Sequence, residues 1–214
     1  MTALYLIRHA KSQGNLEGIF QGRVDMPLCR EGEEQLEKLA LRCRDIPFDA
    51  VYTSPLQRAY QTALAVCRFH PLQPIAEPEL TEISVGEWSG RPIAWLREHE
   101  PELFECWYET PHLFQAPGGE AMSEVRERVV GAVLRILREN EGKTVGVVSH
   151  GCAIWNFLSY ACGQPIEEMK SLKVPGNTSV SRVTMDGTGR LTVDYMADAG
   201  HIGQGVTRDE NFSR

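Results

Sequence analysis

Ala3-Leu4-Tyr5-Leu6-Ile7-Arg8-His9 is an uncharged, largely apolar run that stops abruptly at a cation and an imidazole. A run of that kind, polar only at its carboxyl end, is what a buried parallel strand looks like. The pattern returns far along the chain, where the β-branched run Thr144-Val145-Gly146-Val147-Val148 stops at Ser149-His150-Gly151 and leads into a helical stretch to about Cys162. Between the two, residues 49–53 read as another strand. Ser54-Pro55 then supplies an N-cap and a first-turn proline for a helix to about His70, with Arg58 in its first turn. Ligands of open α/β sheets bind beyond the carboxyl ends of the strands. Three strand exits therefore deliver Arg8, His9, Arg58 and His150 to one edge.

The rest of the chain fills in an α/β domain. A Gly- and polar-rich stretch covers residues 12–30. Residues 31–44 follow with helical spacing, placing Leu36, Leu39, Ala40 and Cys43 on one face. Residues 71–78 hold another extended piece. From Glu82 to about Gly119 the rhythm breaks into a Trp-, Pro- and Glu-rich segment with helical patches at 93–99 and 102–108, which we read as a cap inserted at about 83–119. Residues 120–139 form a long amphipathic helix. Residues 178–185 and 191–197 close the sequence as a strand pair around Asp186-Gly187, and the last ten or so residues are polar and expected to be loose. Strands alternating with helices predict a mainly parallel sheet, in a single domain spanning 1–214.

Composition narrows the function. The 214 residues are 42% hydrophobic and carry a net charge of -7, enough for a real core and without the basic face that nucleic acid requires. The first apolar run is too short for a signal peptide, and no stretch is long enough to span a membrane. The six cysteines are scattered and read as reduced, mostly packed thiols of a cytoplasmic protein.

The four-residue cluster suits a tetrahedral phosphate. Guanidinium forks hold phosphate oxygens, and helix N-termini add amide donors. An imidazole among cations resists protonation and stays nucleophilic. One histidine can attack phosphorus while the other donates to an equatorial oxygen. The leaving alkoxide needs an acid. Glu82, in Leu80-Thr81-Glu82-Ile83-Ser84, opens the insertion and is the best-placed carboxylate, with Glu87, Glu98, Glu100 and Glu102 as rivals. A cap that partly excludes water suits such a group to act first as acid and then as base.

Leu6-Ile7-Arg8-His9-Ala10 resembles the Arg-His-Gly signature of the histidine phosphatases. Asn15, Phe20-Gln21-Gly22-Arg23 and Asp25-Met26-Pro27-Leu28 are similar to the loop that follows it in the phosphoglycerate-mutase branch. Ser54-Pro55-Leu56-Gln57-Arg58-Ala59 resembles that branch's second arginine motif, and Val148-Ser149-His150-Gly151 its second histidine motif. The likeness covers nearly the whole chain in order. It implies a three-layer α/β sandwich with a mainly parallel mixed sheet and a helical cap. It also implies a metal- and cofactor-free phosphatase acting on a small phosphorylated metabolite. His9 would carry the phosphoryl group; Arg8, Arg58 and His150 would bind phosphate; Glu82 would be the proton donor; Asn15 and Gln21 would line the pocket. Two residues depart from the pattern: Ala10 replaces Gly, awkward only if that position needs positive φ, and Lys11, in place of a common acidic residue, offers an added charge near the phosphate.

Mutases of this branch follow the acid with Arg and a nearby Tyr, whereas Glu82 is followed by Ile83-Ser84-Val85-Gly86-Glu87-Trp88. That stretch is similar to broad-specificity and α-ribazole-phosphate phosphatases. Phosphatase is therefore favoured over phosphoglycerate mutase. Other routes remain to weigh. No cysteine has the Arg six positions later that a thiol phosphatase needs, and there is neither an Asp-x-Asp pair nor a Walker loop. A zinc site of His9, His150 and a Glu is disfavoured by the flanking arginines. A non-catalytic phospho-ligand module on the same fold is the alternative of another class, and a homodimer is left open. His70, His99, His112 and His201 read as ordinary surface histidines. The cap aromatics Trp88, Trp95, Trp107, Tyr108 and Phe114 read first as packing and second as cleft lining.

Overall fold

The computed structural model describes residues 1–203, so the polar tail lies outside it. The first half runs β1 (Thr2–Arg8), a single helical turn α1 (Gln13–Leu16), β2 (Ile19–Phe20), α2 (Arg30–Cys43), β3 (Ala50–Thr53), α3 (Gln57–Cys67) and β4 (Ile75–Ala76). The cap segment holds β5 (Arg91–Pro92), α4 (Ile93–His99) and α5 (Pro101–Glu109). Then come α6 (Met122–Glu139), β6 (Thr144–Ser149), α7 (Gly151–Ala161), β7 (Val180–Met185) and β8 (Leu191–Asp198).

Six strands form one sheet in the order β4-β3-β6-β1-β7-β8. β4, β3, β6 and β1 run parallel; β7 and β8 add antiparallel neighbours at one side. The sheet is mixed and mainly parallel, as the α/β reading requires. Alternation along β1 sorts its side chains between two cores. Leu4 and Leu6 join Val145 and Val147 under α6, α7 and the cap. Ile7 joins Val51 and Val148 under α2 and α3, through Leu39, Cys43, Ala59, Ala63 and Val66. Helices thus cover both faces in three layers.

The cap is fastened to the loop after β1. β2 pairs antiparallel with β5, Ile19 opposite Pro92 and Phe20 opposite Arg91. The Phe20 ring then meets Trp88 at 5.4 Å and Trp107 at 5.0 Å, both edge-on, an arrangement aromatic pairs prefer. Trp88, Trp107 and Phe114 are buried, so these cap aromatics are core first.

Of the boundaries that differ from the sequence reading, three have a clear local cause. The helix after β3 begins at Gln57 with extended Leu56 as its N-cap, because Ser54 is engaged elsewhere, and it stops at Cys67. The strand expected from 178 starts at Val180, because Thr178 has φ 54, a left-handed conformation no strand accommodates. Glu120 stands outside α6, its carboxylate held by Arg128 at 2.8 Å.

Candidate active site

His9 and His150 follow the carboxyl ends of two neighbouring strands. Arg8 pairs in register with Ser149, and the next residue on each strand is a histidine. Their ring centroids lie 5.0 Å apart. Arg8, His9, Arg58 and His150 are all buried. The structure thus brings together the four residues that the strand-exit argument assembled.

His9 Nδ1 donates to the Ala10 carbonyl at 2.7 Å. A carbonyl only accepts, so the ring proton sits on Nδ1 and the lone pair on Nε2. Burial first, then the Arg58 and Arg8 charges, hold His9 well below the usual imidazole range. The ring is neutral, oriented and nucleophilic at Nε2. Its carbonyl is clamped in turn: Asn177 Nδ2 donates to it at 2.9 Å, and the Thr178 amide donates to the Arg8 carbonyl at 3.1 Å. Left-handed Thr178 is fully buried. Strain of this sort persists where the surroundings over-determine it.

Arg8 reaches back to the Pro175 carbonyl at 2.6 Å. Arg58 spends its two terminal nitrogens on the carbonyls of Val24 and Gly22, both at 2.8 Å. Gly22 offers that oxygen from φ +51, and a Cβ there would meet Val85 at 2.6 Å; glycine is required. Burial draws the Arg58 guanidinium down to about 10, still charged at neutral pH. Asn15 is the N3 residue of a capping box with Ser12. Ser12 Oγ lies 2.9 Å from both Asn15 Oδ1 and Gln21 Oε1. The single Ser12 hydroxyl proton serves one of these oxygens, and both amide side chains line the cleft.

Glu82 lies in the same cleft as Arg8, His9, Asn15, Gln21 and Arg58, whereas its rivals Glu87, Glu98, Glu100 and Glu102 do not. Its carboxylate sits at the N-terminus of α7, accepting from the amides of Cys152 at 3.1 Å and Ala153 at 3.2 Å, and from its own neighbour Ile83 at 2.9 Å. The outer wall is apolar, with Ile19, Phe20, Ile83, Ile93 and Trp107. Trp107 is thus both core and cleft lining. His150 is not among the residues that open onto the cleft; it sits fully buried against His9.

Sequence reasoning missed the supports of Glu82. Its carbonyl accepts from Arg23 Nε and Arg128 Nη2, each at 3.0 Å. Both arginines also grip Glu120 at 2.8 Å, and Glu120 accepts from the Ser84 amide at 2.7 Å. Only Arg23, inside the quoted Gly22-Arg23 pair, carried a sequence signal.

Several smaller expectations are corrected. Lys11 adds no free charge near the site, because its ammonium pairs with Glu31 at 2.6 Å. Ala10 does not have positive φ, so it fits without strain. Of the four histidines read as surface, only His99 is exposed. His70 lies 3.0 Å from the Cys43 carbonyl, and burial brings His201 down to about 4. Among the described residues no helix is long and apolar enough to cross a membrane.

The sequence pattern of the histidine phosphatase superfamily (branch 1) matches residues 4–198, a span from β1 to the last residue of β8. The chain belongs to that superfamily. It is 38% identical to phosphoserine phosphatase 1 of Hydrogenobacter thermophilus, over 76% of this chain and 82% of the relative. It is 32% identical to a probable phosphoglycerate mutase GpmB of Enterobacter sp. (strain 638), over 86% and 85%. Among solved structures, YhfR of Bacillus stearothermophilus superposes with a TM-score of 0.90 at 31% identity, covering 94% of this chain and all of that one. The phosphoglycerate mutase-like fold is thereby shown, and the chain is a phosphoric monoester hydrolase of the histidine phosphatase type.

Proposed function

We propose that this histidine phosphatase hydrolyses small phosphorylated metabolites through a phosphohistidine on His9, with no metal in the reaction. The observation that carries the reading is the His9 Nδ1 bond to Ala10, which leaves Nε2 with its lone pair beside two buried guanidiniums. Nε2 forms a bond to phosphorus as the bond from phosphorus to the leaving oxygen breaks. Arg8, Arg58 and His150 hold the equatorial oxygens, and Asn15 and Gln21 line the phosphate end of the cleft. Phosphoryl transfer asks little covalent chemistry of a protein beyond positioning and charge stabilisation.

Glu82, in its acid form, gives its proton to the leaving alkoxide. It then takes one from the water that attacks the phosphohistidine, which restores His9 and releases inorganic phosphate. The Arg23, Arg128 and Glu120 network sets where that carboxyl stands. Phosphoserine heads the substrate panel because the relative from Hydrogenobacter thermophilus bears that name. The relative named a probable phosphoglycerate mutase keeps mutase as the second reading. It is less favoured because Ile83 and Ser84 stand where a mutase grips phosphoglycerate with Arg.

The test is phosphate release from an ester panel in EDTA, comparing wild type with His9→Ala. Release that survives EDTA and vanishes in the variant supports the reading. Turnover without His9 would sink it. Interconversion of 2- and 3-phosphoglycerate faster than phosphate release would favour the mutase.

A further inference from the structure

We propose that Ser54 is a positioning residue that sets the tautomer of His150, so that Nδ1–H is the group His150 presents to the phosphate; this rests on the phosphatase reading above. Ser54 follows β3 and is fully buried. Its Oγ lies 2.8 Å from His150 Nε2. The Leu56 amide donates to the same Oγ at 3.3 Å. A hydroxyl has one proton to give. Among the described residues the acceptor recorded for it is His150 Nε2.

Counting protons decides the direction. If Nε2 carried the ring proton, Ser54 Oγ would receive two donors and its own proton would be left without an acceptor in a dry place. Buried donors are rarely orphaned, because the desolvation cost is not recovered. With Ser54 donating to Nε2, the hydroxyl proton has its acceptor, and the ring proton moves to Nδ1, where it is left for a ligand.

Topology says where Nδ1 points. β6 lies between β3 and β1, so Ser54 flanks His150 on one side and His9 on the other. The two nitrogens of an imidazole point to nearly opposite sides of the ring. Nε2 toward β3 turns Nδ1 toward the side of β1. Nδ1 is buried there and has no partner among the described residues. A donor aimed at the region of His9 and lacking an acceptor fits an equatorial phosphate oxygen. The choice of tautomer matters because the ring is neutral: burial first, then Arg58, His9 and Arg8, hold His150 well below the usual range.

Nitrogen-15 NMR of the wild-type protein reads the tautomer directly. The expected result is a pyrrole-type signal at His150 Nδ1 and a pyridine-type signal at Nε2. The reverse assignment overturns the proposal, and this arm does not depend on any variant folding. Ser54→Ala is expected to weaken inorganic phosphate binding and to lower kcat/KM by roughly tenfold or more. The loss should be equal for esters with good and poor leaving groups, with Ser54→Thr restoring part of it. Wild-type phosphate affinity and turnover in a folded Ser54→Ala would also overturn it. Either failure combined with His9-dependent turnover would remove this inference and leave the phosphohistidine reading standing.

Discussion

His9 and His150 leave neighbouring parallel strands at the same level. The His9 amide donates to the Ser149 carbonyl at 2.9 Å, and the two imidazoles end 5.0 Å apart. Parallel pairing without a bulge makes that spacing a property of the sheet rather than of loops. Sites built on strands hold their geometry more closely than sites built on loops. The clustered Arg8, His9 and His150 therefore inherit the rigidity of β1 and β6, and Arg58 that of the helix which follows β3.

The two histidines tie stability to pH. Both fold into the neutral form, with ionisation well below 6.5, while the unfolded chain protonates near 6.5. Below that value the unfolded state binds more protons, so stability falls as pH drops and levels off only below the folded ionisations. Thermal melts between pH 8 and pH 5 should show Tm falling at the acid end. A His9→Asn, His150→Asn double variant should show a shallower acid-side decline. An equal slope in both proteins would refute the assignment.

Glu82→Gln should separate the two halves of the reaction. The amide keeps the shape but cannot deliver a proton. Alkyl esters, whose leaving groups need protonation, should lose about 10²- to 10⁴-fold in kcat. p-Nitrophenyl phosphate, with its acidic leaving group, should lose far less in the phosphorylation step. Equal losses for both ester types would take the proton-donor role away from Glu82.

Arg128 holds the carbonyls of Glu79, Thr81 and Glu82 as well as the Glu120 carboxylate. Arg128→Ala leaves those acceptors short of donors and should cost about 1–3 kcal/mol of stability by denaturant titration. Arg128→Lys should rescue little, since an ammonium cannot reproduce the fork. Both variants should lower kcat for alkyl esters more than for p-nitrophenyl phosphate, because the part disturbed is the seat of Glu82. A uniform loss would contradict that.

Gly22→Ala forces a side chain onto φ +51 and into Val85. The left-handed conformation alone costs about 1–2 kcal/mol. The Gly22 carbonyl should also shift off Arg58. The measurable outcome is a lower denaturation midpoint together with weaker phosphate inhibition. An unchanged midpoint would show that the loop relaxes freely.

Much of this was legible along the chain, for a physical reason. Ala3-Leu4-Tyr5-Leu6-Ile7 and Thr144–Val148 are buried on both faces, so their hydrophobicity shows without knowledge of their neighbours, and the polar residues that end them mark the site edge. Arg58 was legible because it sits in the first turn of the helix after β3. What could not be read depends on contacts between distant segments. Ser54-Pro55 looks like a helix start locally, and only the pairing of β3 with β6 reveals His150 as its partner. Glu120 read as the first residue of a helix, and only the fold brings Arg23 to it across 97 positions. The Asn177-Thr178 clamp carries no local pattern, since a left-handed threonine is justified only by the carbonyls of Arg8 and His9 that it serves. Glu82 stood out from its rivals only through the family likeness, because a cap inserted between strands hides which carboxylate turns inward.

The central claim is the covalent one. Mixing enzyme with excess substrate, quenching in alkali (where a phosphohistidine survives) and mapping the peptides by mass spectrometry tests it most directly. The account predicts a phosphoryl group on the peptide containing His9, formed and lost at rates compatible with turnover and absent in His9→Ala. A phosphoryl group on another residue, or undiminished turnover in His9→Ala, would contradict it.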